Sequence, residues 1–248
     1  MKKVMLVTGA SRGIGAATVR LGAAAGYAVC VNYLAREQDA KQLVEELTST
    51  GAAAICVAAD VSKPAEVQRL FETVDEQLGP LTALVNNAGI LERQMRLESM
   101  DAARLERIFA TNVVGSFMCA REAIRRMARS RGGAGGAIVN VSSMAARLGA
   151  PNEYIDYAAS KGAIDTMTIG LAREVANEGI RVNAVRPGLI DTEMHASGGE
   201  PGRIDRLKSS VPLQRGGTSE EVARAILWLL SDDASYTTGS FIDVSGGR

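Results

Sequence analysis

Short apolar runs recur along the chain, and each ends in Gly, Asn, Asp or Ser before a stretch in which apolar residues follow helical spacing. This alternation is typical of βαβ units, in which parallel strands alternate with helices that cover the faces of a sheet. We therefore predict seven strands, at Val4–Val7, Ala28–Asn32, Ala54–Val57, Ala83–Asn86, Ala137–Val141, Arg181–Val185 and Phe241–Val244.

The stretches between these runs predict six helices, at Ile14–Ala25, Glu37–Thr48, Pro64–Leu78, Ala103–Arg129, Tyr157–Asn177 and Ser219–Leu230. Right-handed crossovers through such helices produce an α/β fold with a doubly wound parallel sheet. Because 248 residues with 46% hydrophobic side chains can bury one large core, we expect a single domain over residues 1–248. One long segment without regular spacing, from about 191 to 217, is rich in Gly, Ser and Pro and is predicted to be a substrate lid.

The composition argues against nucleic-acid and membrane partners. Lys and Arg number 28, as do Asp and Glu, so no net field would recruit a polyanion or an anionic membrane. The N-terminal apolar run is too short for a signal peptide, and no run is long enough to span a bilayer. Cys30, Cys56 and Cys119 are expected to be buried, and His195, the only histidine, to be a solvated lid residue, so no metal site is predicted. We expect a cytoplasmic protein.

A glycine-rich segment, Thr8-Gly9-Ala10-Ser11-Arg12-Gly13-Ile14-Gly15, follows the first predicted strand and precedes a helix. Glycines in such a turn let the backbone approach a pyrophosphate at the N-terminus of the helix. The spacing is Gly-x-x-x-Gly-x-Gly rather than Gly-x-Gly-x-x-Gly. Its position directly after the first strand nevertheless favours a phosphate cradle.

The segment Tyr157-Ala158-Ala159-Ser160-Lys161 places a phenol and an ammonium four residues apart in a predicted helix. Residues at that spacing share one helix face. A phenol with a pKa near ~10 is a poor acid or base at neutral pH, and a fixed neighbouring cation lowers that pKa. The pair therefore predicts an acid–base group, with a solvated Tyr/Lys pair as the alternative.

Seven motifs in order along nearly the whole chain resemble the short-chain dehydrogenase/reductase family. They are Thr8-Gly9-x3-Gly13-x-Gly15, Asp60-Val61, Asn86-Asn87-Ala88-Gly89, Asn112, Ser142-Ser143, Tyr157-x3-Lys161 and Arg186-Pro187-Gly188. The resemblance implies a Rossmann-type sheet, a nicotinamide dinucleotide and hydride transfer between that cofactor and an alcohol or carbonyl. Within the family, the chain resembles 3-oxoacyl-carrier-protein reductase-like and glucose dehydrogenase-like members.

The resemblance assigns the catalytic roles to Asn112, Ser143, Tyr157 and Lys161. Tyr157 would give or take the proton, Ser143 would polarise the substrate oxygen, and Lys161 would hold the nicotinamide ribose and lower the pKa of Tyr157. Asn112 would hold a water against Lys161, with a merely packed amide as the alternative. Ser142 is the alternative to Ser143, because the following segment looks about one residue longer than in many relatives.

The resemblance also implies a cofactor site at the carboxyl edge of the sheet. Asp60 would contact the adenine amino group, with a turn or N-cap aspartate as the alternative. The segment Asn86-Asn87-Ala88-Gly89 would turn the chain under the cofactor, a mostly architectural role. Cofactor-binding residues are expected to be Gly9, Ser11, Arg12, Gly13, Ile14, Gly15, Asn32, Arg36, Asp60, Val61, Asn87, Ala88, Gly89, Tyr157, Lys161, Pro187, Gly188, Ile190 and Thr192.

The end of the second strand bears on cofactor choice, because NAD enzymes usually place an acidic residue there against the ribose hydroxyls. In the run Val31-Asn32-Tyr33-Leu34-Ala35-Arg36, no carboxylate occurs before Glu37. Arg12 and Arg36 could instead pair with a 2′-phosphate. We therefore predict NADP as the cofactor, with NAD less favoured.

The leading functional hypothesis is an NADP(H)-dependent oxidoreductase acting on a carbonyl or alcohol substrate of the 3-oxoacyl or small-ketone type. A glucose-type sugar dehydrogenase is the alternative within the family, because Glu153 and Asp156 would be unfavourable beside a strongly anionic substrate. A non-catalytic nucleotide-sensing module is the alternative of another class, and the intact Ser143, Tyr157 and Lys161 argue against it.

Two kinds of protein partner are considered. Five arginines crowd the end of one helix and its following loop and are interpreted either as a solvated face or as a docking patch for acyl carrier protein. They are Arg121, Arg125, Arg126, Arg129 and Arg131. Similar enzymes commonly form homotetramers, and the apolar segments Val222–Leu230 and Phe241–Val244 fit such an assembly.

Overall fold

A seven-stranded parallel sheet organises the chain in the computed structural model, which describes residues 3–248 apart from the side chain of His195. The strand order is β3-β2-β1-β4-β5-β6-β7. The predicted fold class is confirmed, and every predicted strand agrees with an observed strand to within two residues. The strands are β1 (Lys3–Val7), β2 (Tyr27–Tyr33), β3 (Ala54–Ala58), β4 (Ala83–Asn86), β5 (Gly136–Val141), β6 (Ile180–Pro187) and β7 (Phe241–Val244).

Helices connect the strands and cover both faces of the sheet. Because β1 pairs with β4 as well as β2, the chain turns to opposite sides on leaving these two strands, and their carboxyl ends border a crevice. The α-helices are α1 (Gly13–Ala24), α2 (Glu37–Ser49), α3 (Pro64–Gln77), α4 (Ala102–Phe109), α5 (Ser116–Met127), α6 (Ala145–Leu148), α7 (Ile155–Glu174), α8 (Met194–Ser197), α9 (Arg203–Leu207) and α10 (Ser219–Leu230).

Alternate residues of each strand belong to two hydrophobic cores on opposite faces. In β1, Val4 and Leu6 pack into the core that contains Phe71 of α3, whereas Met5 and Val7 pack into the core closed by α1, α2 and α10. Successive side chains of a strand point to opposite faces, and helices cover both faces of a parallel sheet. The near-continuous apolar runs in the sequence reflect this two-sided burial.

The prediction of one continuous helix over Ala103–Arg129 is wrong in its middle. Helices α4 and α5 are joined by a π-helical turn, Ala110–Gly115, which contains Asn112. Single π-helical turns inside helices are frequent at functional sites. Apolar spacing did not locate the turn, because the residues on both sides keep a helical pattern.

The predicted lid, residues 191–217, contains more regular structure than expected, namely α8, α9 and a 3₁₀ turn at Lys208–Ser210. Helices of four or five residues are too short to leave a periodic signal. The ends of the lid are joined by a parallel bridge between Ile190 and Gly217. In addition, the Asp191 N–H donates to the Gly217 carbonyl at 2.8 Å, and the Gly217 N–H donates to the Leu189 carbonyl at 2.9 Å.

Helix α10 turns its apolar face inward. Val222, Ile226 and Leu229 are fully buried in the second core, whereas Trp228 is 43% exposed. The interpretation of Val222–Leu230 as an apolar assembly surface is therefore wrong for these core residues. An amphipathic pattern shows that a helix buries one face, but it does not show what covers that face.

The three cysteines are free. Cys30 and Cys119 are buried, as expected, whereas Cys56 is partly exposed. Desolvation raises the pKa of Cys119 to about 12 and also raises the pKa of Cys30, so both thiols stay protonated at neutral pH. Among the described residues, no three His, Cys, Asp or Glu side chains converge into a metal-binding group, and no helix is long and apolar enough to cross a membrane.

Candidate active site

The glycine-rich loop between β1 and α1 lies tightly against the end of β4. Gly9 has a left-handed φ of +61°, and a Cβ at this position would lie 2.9 Å from the Cα of Ala88. The Thr8 hydroxyl accepts hydrogen bonds from the N–H groups of Asn87 and Ala88, both at 3.0 Å. The Asn87 amide donates to the carbonyls of Thr8 and Gly9 at 2.8 and 2.9 Å. These contacts fit the architectural role expected of the segment after β4.

Gly15 lets the first turn of α1 approach this loop. A Cβ at Gly15 would lie 2.7 Å from the Gly9 carbonyl oxygen, the Ala10 Cα and the Asn87 Nδ2, so a larger side chain does not fit. Arg12, the N-cap residue of α1, makes no side-chain capping hydrogen bond. The first N–H groups of α1 are therefore available to an anion.

A groove along the carboxyl ends of β1 to β4 brings most of the predicted cofactor residues together. The predicted residues that line it are Gly9, Ser11, Arg12, Gly13, Ile14, Asn32, Arg36, Asp60, Val61, Asn87, Ala88, Gly89 and Thr192. An adjoining cavity is lined by Tyr157, Lys161, Pro187, Gly188 and Ile190. Ile14, Asn87 and Thr192 line both, so the two spaces adjoin. Gly15 lines neither and instead supports the loop.

Asn32 holds the loop and two strands together through its side chain. It is buried, its Oδ1 accepts a hydrogen bond from the Gly9 N–H at 3.2 Å, and its Nδ2 donates to the carbonyls of Val57 and Ala59 at 3.2 and 3.0 Å. Both the oxygen and the nitrogen of the Asn32 amide thus form hydrogen bonds within the protein. A direct contact of Asn32 with the cofactor stays a prediction.

Asp60 combines a turn with a place in the groove. Its Oδ1 accepts hydrogen bonds from the N–H and hydroxyl of Ser62 at 2.9 and 2.7 Å. Its Oδ2 lies 3.9 Å from Lys63 Nζ. The interpretation of Asp60 as a turn aspartate therefore accounts for Oδ1, whereas Oδ2 can accept a hydrogen bond from a further donor.

Two arginines converge at the end of the groove near β2. The Nη1 of Arg12 lies 2.5 Å, and the Nη2 of Arg36 2.9 Å, from the same carboxylate oxygen of Glu193. Glu193 belongs to the lid and also lines the groove. Two guanidinium groups that meet at one point form a site suited to a carboxylate or a phosphate.

Tyr157 and Lys161 lie in the first two turns of α7, with Lys161 Nζ 5.6 Å from the centroid of the Tyr157 ring. The ammonium donates to the Val141 carbonyl at 2.7 Å. Burial lowers the pKa of Lys161 to about 8, against an opposing effect of Asp165. Desolvation raises the pKa of Tyr157 to about 12, against an opposing hydrogen bond with Ser143. The prediction that Lys161 lowers the pKa of Tyr157 is therefore wrong for this structure, because desolvation dominates and the ammonium contacts a backbone carbonyl.

The two serines after β5 have different surroundings. The Ser142 hydroxyl is buried and donates to Asp165 Oδ1 at 2.6 Å. The Ser143 hydroxyl accepts a hydrogen bond from the Ala145 N–H at 3.1 Å and interacts with the side chain of Tyr157. Only the Ser143 hydroxyl is therefore placed to share a substrate oxygen with the phenol.

Asn112, in the π-helical turn, is fully buried and joins three segments. Its Nδ2 donates to the Ile90 carbonyl at 2.9 Å and to Ser160 Oγ at 3.0 Å, and its Oδ1 accepts from the Ile90 N–H at 2.8 Å. A Cβ at Gly89 would lie 3.5 Å from Asn112 Oδ1 and 3.4 Å from Lys161 Nζ. Asn112 thus lies near Lys161, while its amide packs the loop after β4 against α7. Its water-holding role stays a prediction.

Beyond Tyr157, the cavity has mainly apolar walls. Its apolar side chains include Leu91, Met144, Leu148, Leu189 and Met194. Leu189 and Met194 come from the lid and the segment that leads into it from β6, and Met144 and Leu148 come from the loop and short helix after β5. The pocket therefore suits a ligand with an aliphatic part.

The two acidic residues of the segment before Tyr157 are paired with arginines. Asp156 is buried, and its Oδ2 lies 2.7 Å from Arg104 Nε. Glu153 lines the cavity, and its Oε2 lies 2.5 Å from Arg203 Nη2. The expectation that both carboxylates would disfavour an anionic substrate is wrong for Asp156, which does not line the cavity, and is weakened for Glu153 by its partner.

Comparisons with known proteins agree with this geometry. A family model described as enoyl-(acyl carrier protein) reductase matches residues 9–248. The chain is 35% identical to a double mutant of a Serratia marcescens short-chain dehydrogenase/reductase, whose structure matches with a TM-score of 0.90 over 99% of this chain and 97% of that one. The chain belongs to the short-chain dehydrogenase/reductase family.

Other members of the short-chain dehydrogenase/reductase family are similar over their whole length. The chain is 59% identical to an uncharacterised oxidoreductase of Escherichia coli, YgfF, over 99% of both chains. It is 37% identical to the 3-oxoacyl-(acyl-carrier-protein) reductase FabG of Staphylococcus epidermidis, covering 100% of this chain and 99% of that protein. A metagenomic blue fluorescent protein solved with NADPH is 37% identical, with a TM-score of 0.90 over 99% and 97% of the two chains. The chain is thus an oxidoreductase, and the alternative of a non-catalytic sensing module is not retained.

Four charged residues near this short-chain dehydrogenase/reductase site escaped the sequence reasoning: Arg104, Asp165, Glu193 and Arg203. Asp165 had a usable signal in the sequence, since it follows Lys161 by four residues on the same helix. Its carboxylate accepts hydrogen bonds from the Ser142 hydroxyl at 2.6 Å and from Arg186 Nε at 2.9 Å. The other three are brought to the site by tertiary contacts with distant segments, for which one sequence contains no local signal.

The five arginines considered as a docking patch are partly neutralised. The buried Glu122 lies within 3.3 Å of Arg121, 2.9 Å of Arg125 and 2.8 Å of Arg126. Although desolvation acts to raise it, the pKa of Glu122 is lowered by the hydrogen bond from Arg126 and by the neighbouring arginine charges. Arg126 also lies 2.6 Å from Asp75. The positive charge of this surface is therefore smaller than the sequence suggests.

Proposed function

We propose that this protein is an NADP(H)-dependent oxidoreductase that transfers hydride between nicotinamide and a carbonyl or alcohol substrate of the 3-oxoacyl or small-ketone type. The observation that carries the proposal is that the two spaces adjoin. The groove that ends at Arg12 and Arg36 shares lining residues with the cavity lined by Ser143, Tyr157 and Lys161. A dinucleotide in the groove would bring its reactive ring to the acid–base pair.

The residues of the groove fit a dinucleotide with a 2′-phosphate. The tight turn at Gly9 and the free N–H groups of α1 suit the pyrophosphate. The second oxygen of Asp60 suits the adenine amino group, and the paired guanidinium groups of Arg12 and Arg36 suit the 2′-phosphate. The NADPH complex of the similar metagenomic protein supports the same choice.

In this proposal the bound nicotinamide supplies or accepts the hydride, and the protein handles the proton. Tyr157 donates its phenolic proton to the carbonyl oxygen during reduction and accepts a proton during oxidation. Its raised pKa keeps the phenol protonated, as reduction requires, and disfavours the phenolate that oxidation requires. Ser143 donates a hydrogen bond to the same oxygen, and Lys161 holds the nicotinamide ribose. Asn112 holds a water that returns a proton towards Lys161.

The apolar cavity walls and the similarity to the reductase FabG support a 3-oxoacyl or ketone substrate. The glucose-type alternative has less support, because Asp156 is buried against Arg104 and offers no acceptor to a sugar hydroxyl. An acyl carrier protein is a proposed partner, with Arg131, an exposed residue beside α5, in its docking surface.

We also propose that the protein is a single-domain, cytoplasmic homotetramer. Three apolar side chains on neighbouring outer surfaces support the assembly, since Val114, Phe117 and Ile169 are 44%, 45% and 41% exposed. Light scattering of the purified protein tests the assembly, and a monomer would contradict it.

The main experiment measures oxidation of NADPH and of NADH with 3-oxoacyl thioesters, small ketones and glucose-derived lactone as substrates. The proposal expects turnover with a 3-oxoacyl thioester or a ketone, and a higher kcat/KM with NADPH. Turnover only with the sugar substrate, or a higher kcat/KM with NADH, would contradict it.

Docking of a carrier is tested separately with Arg131→Glu. We expect a higher KM for a carrier-bound 3-oxoacyl thioester and an unchanged KM for the same acyl group on a free thiol. Arg224→Glu, at an exposed position on α10, is the matched control and should change neither value. Equal losses on both substrates after Arg131→Glu would argue against docking.

A further inference from the structure

The lid carboxylate of Glu193 occupies the meeting point of two guanidinium groups. One oxygen of Glu193 lies 2.5 Å from Arg12 Nη1 and 2.9 Å from Arg36 Nη2. These three residues come from separate segments: the glycine-rich loop, the start of α2 and the lid. The same oxygen therefore bridges two cations that are distant in sequence.

Further charged groups near the bridge lie at the start of α2, where Glu37 pairs with Lys41 at 2.7 Å. Asp39, on the first turn of α2, lies 3.2 Å from Arg36 Nη1 and uses the other end of that guanidinium. From the lid, Thr192, Met194 and Ser197 also line the groove. Glu193 is thus the lid carboxylate that contacts both arginines, and its neighbours in the lid line the same groove.

We propose that Glu193 is a specificity-determining residue that competes with the 2′-phosphate of the cofactor for Arg12 and Arg36. The proposal rests on the proposed function, because it takes these arginines as the 2′-phosphate site. A phosphate group brings more negative charge and three acceptor oxygens to the site, so it displaces the carboxylate. Only ligands with a 2′-phosphate must displace Glu193, and NAD-type ligands need not.

The consequence concerns the ratio of affinities rather than affinity alone. A carboxylate between the two arginines reduces the advantage that a 2′-phosphate would otherwise have. Glu193 therefore moderates the preference for NADP over NAD, and removing its charge should increase that preference. The three side chains are between 37% and 58% exposed, so water and salt screen the contacts and the effect should be modest.

The test measures the dissociation constants of adenosine 2′,5′-bisphosphate and adenosine 5′-monophosphate by calorimetry, which does not depend on a substrate. In Glu193→Gln we expect adenosine 2′,5′-bisphosphate to bind about two- to fivefold more tightly, the size expected for an exposed ion pair. Binding of adenosine 5′-monophosphate should change little. The gain should decrease at high ionic strength, because salt screens exposed charges.

Asp205→Asn is the matched control, since Asp205 is an exposed lid carboxylate paired with Lys208 at 2.7 Å and does not line the groove. It should leave both constants unchanged. If adenosine 2′,5′-bisphosphate bound no more tightly, relative to adenosine 5′-monophosphate, in Glu193→Gln than in the wild-type protein, the proposed role of Glu193 would be overturned. The proposed cofactor is judged separately by the wild-type protein, which should bind the 2′-phosphate-containing ligand more tightly than the ligand without it.

Discussion

The groove and the region around the cavity are held in shape by different kinds of interaction. Backbone contacts and glycines shape much of the groove, as at Gly9, where a Cβ would lie 2.9 Å from Ala88. Buried and paired charges shape the cavity side, as in the contact of Arg104 with Asp156 at 2.7 Å. Close backbone packing tolerates almost no added atom, whereas a buried ion pair depends on the presence of both partners. The two regions should therefore fail in different ways when they are changed.

The largest expected effect separates chemistry from cofactor binding at the junction of the two regions. Tyr157→Phe removes the proposed proton donor and should lower kcat by about 10²- to 10⁴-fold. The dissociation constant of adenosine 2′,5′-bisphosphate should stay the same, because the phenol lies outside the adenosine end of the groove. Kinetics with the substrate found in the screen, together with calorimetry, check both expectations. Retained turnover would exclude Tyr157 as the proton donor.

The cavity side should be sensitive to the loss of one charge. Arg104→Ala leaves the fully buried Asp156 without its partner, so the free energy of unfolding should fall by about 3–5 kcal/mol. Arg20→Ala, which breaks the exposed contact with Glu46 at 2.8 Å, is the control and should cost about 0–1 kcal/mol. Urea denaturation measures both values. Similar losses in the two variants would show that burial of the Arg104 pair has no special importance.

Lys161, at the junction, should make stability depend on pH in a specific direction. Its pKa is about 8 in the folded protein and 10.5 in the reference state, so between these pH values the unfolded chain binds more protons. Stability should therefore rise with pH across this window, by up to about 3 kcal/mol, relative to Lys161→Met. Urea denaturation of both proteins from pH 7 to pH 10.5 measures the difference. A difference that stays flat or falls would contradict burial as the dominant influence on this lysine.

The groove should be sensitive to a single added methyl group. Gly9→Ala combines a left-handed φ with a clash against the backbone of Ala88, and should cost about 1–3 kcal/mol of unfolding free energy. It should also weaken the binding of adenosine 2′,5′-bisphosphate. Gly26→Ala is the control, because Gly26 has a φ of +85° and a Cβ added there would meet no atom within 4 Å. If both variants lost ligand affinity equally, the close approach of Gly9 to Ala88 would not be the cause.

The same contrast explains which parts of the site could be predicted from the sequence. The groove was predictable because each of its parts is local: an apolar strand, a glycine turn and the start of a helix are consecutive in the chain. The cavity side was less predictable. Arg104 and Asp156 are 52 residues apart and Glu153 and Arg203 are 50 apart, and a single sequence holds no signal that pairs them.

The resemblance identified Ser143, Tyr157 and Lys161, which line the cavity, but it did not predict their electrostatics. The four-residue spacing put Lys161 near Tyr157, as expected. It could not show that the Lys161 ammonium donates to the Val141 carbonyl, nor that desolvation raises the pKa of Tyr157 to about 12. Burial is a property of the assembled fold, so the sign of a pKa shift cannot be taken from spacing alone.

The bridge between Ile190 and Gly217 has a consequence for how this enzyme could change over generations. Because the bridge and its hydrogen bonds join the two ends of the lid, the chain between them forms a closed loop whose ends are fixed. The entropy of closing such a loop grows only slowly with its length. Residues of this segment that line neither the groove nor the cavity can therefore be inserted, deleted or exchanged without moving β6 or α10. The proposed substrate lid can diversify at those positions while the residues proposed for hydride transfer are inherited unchanged.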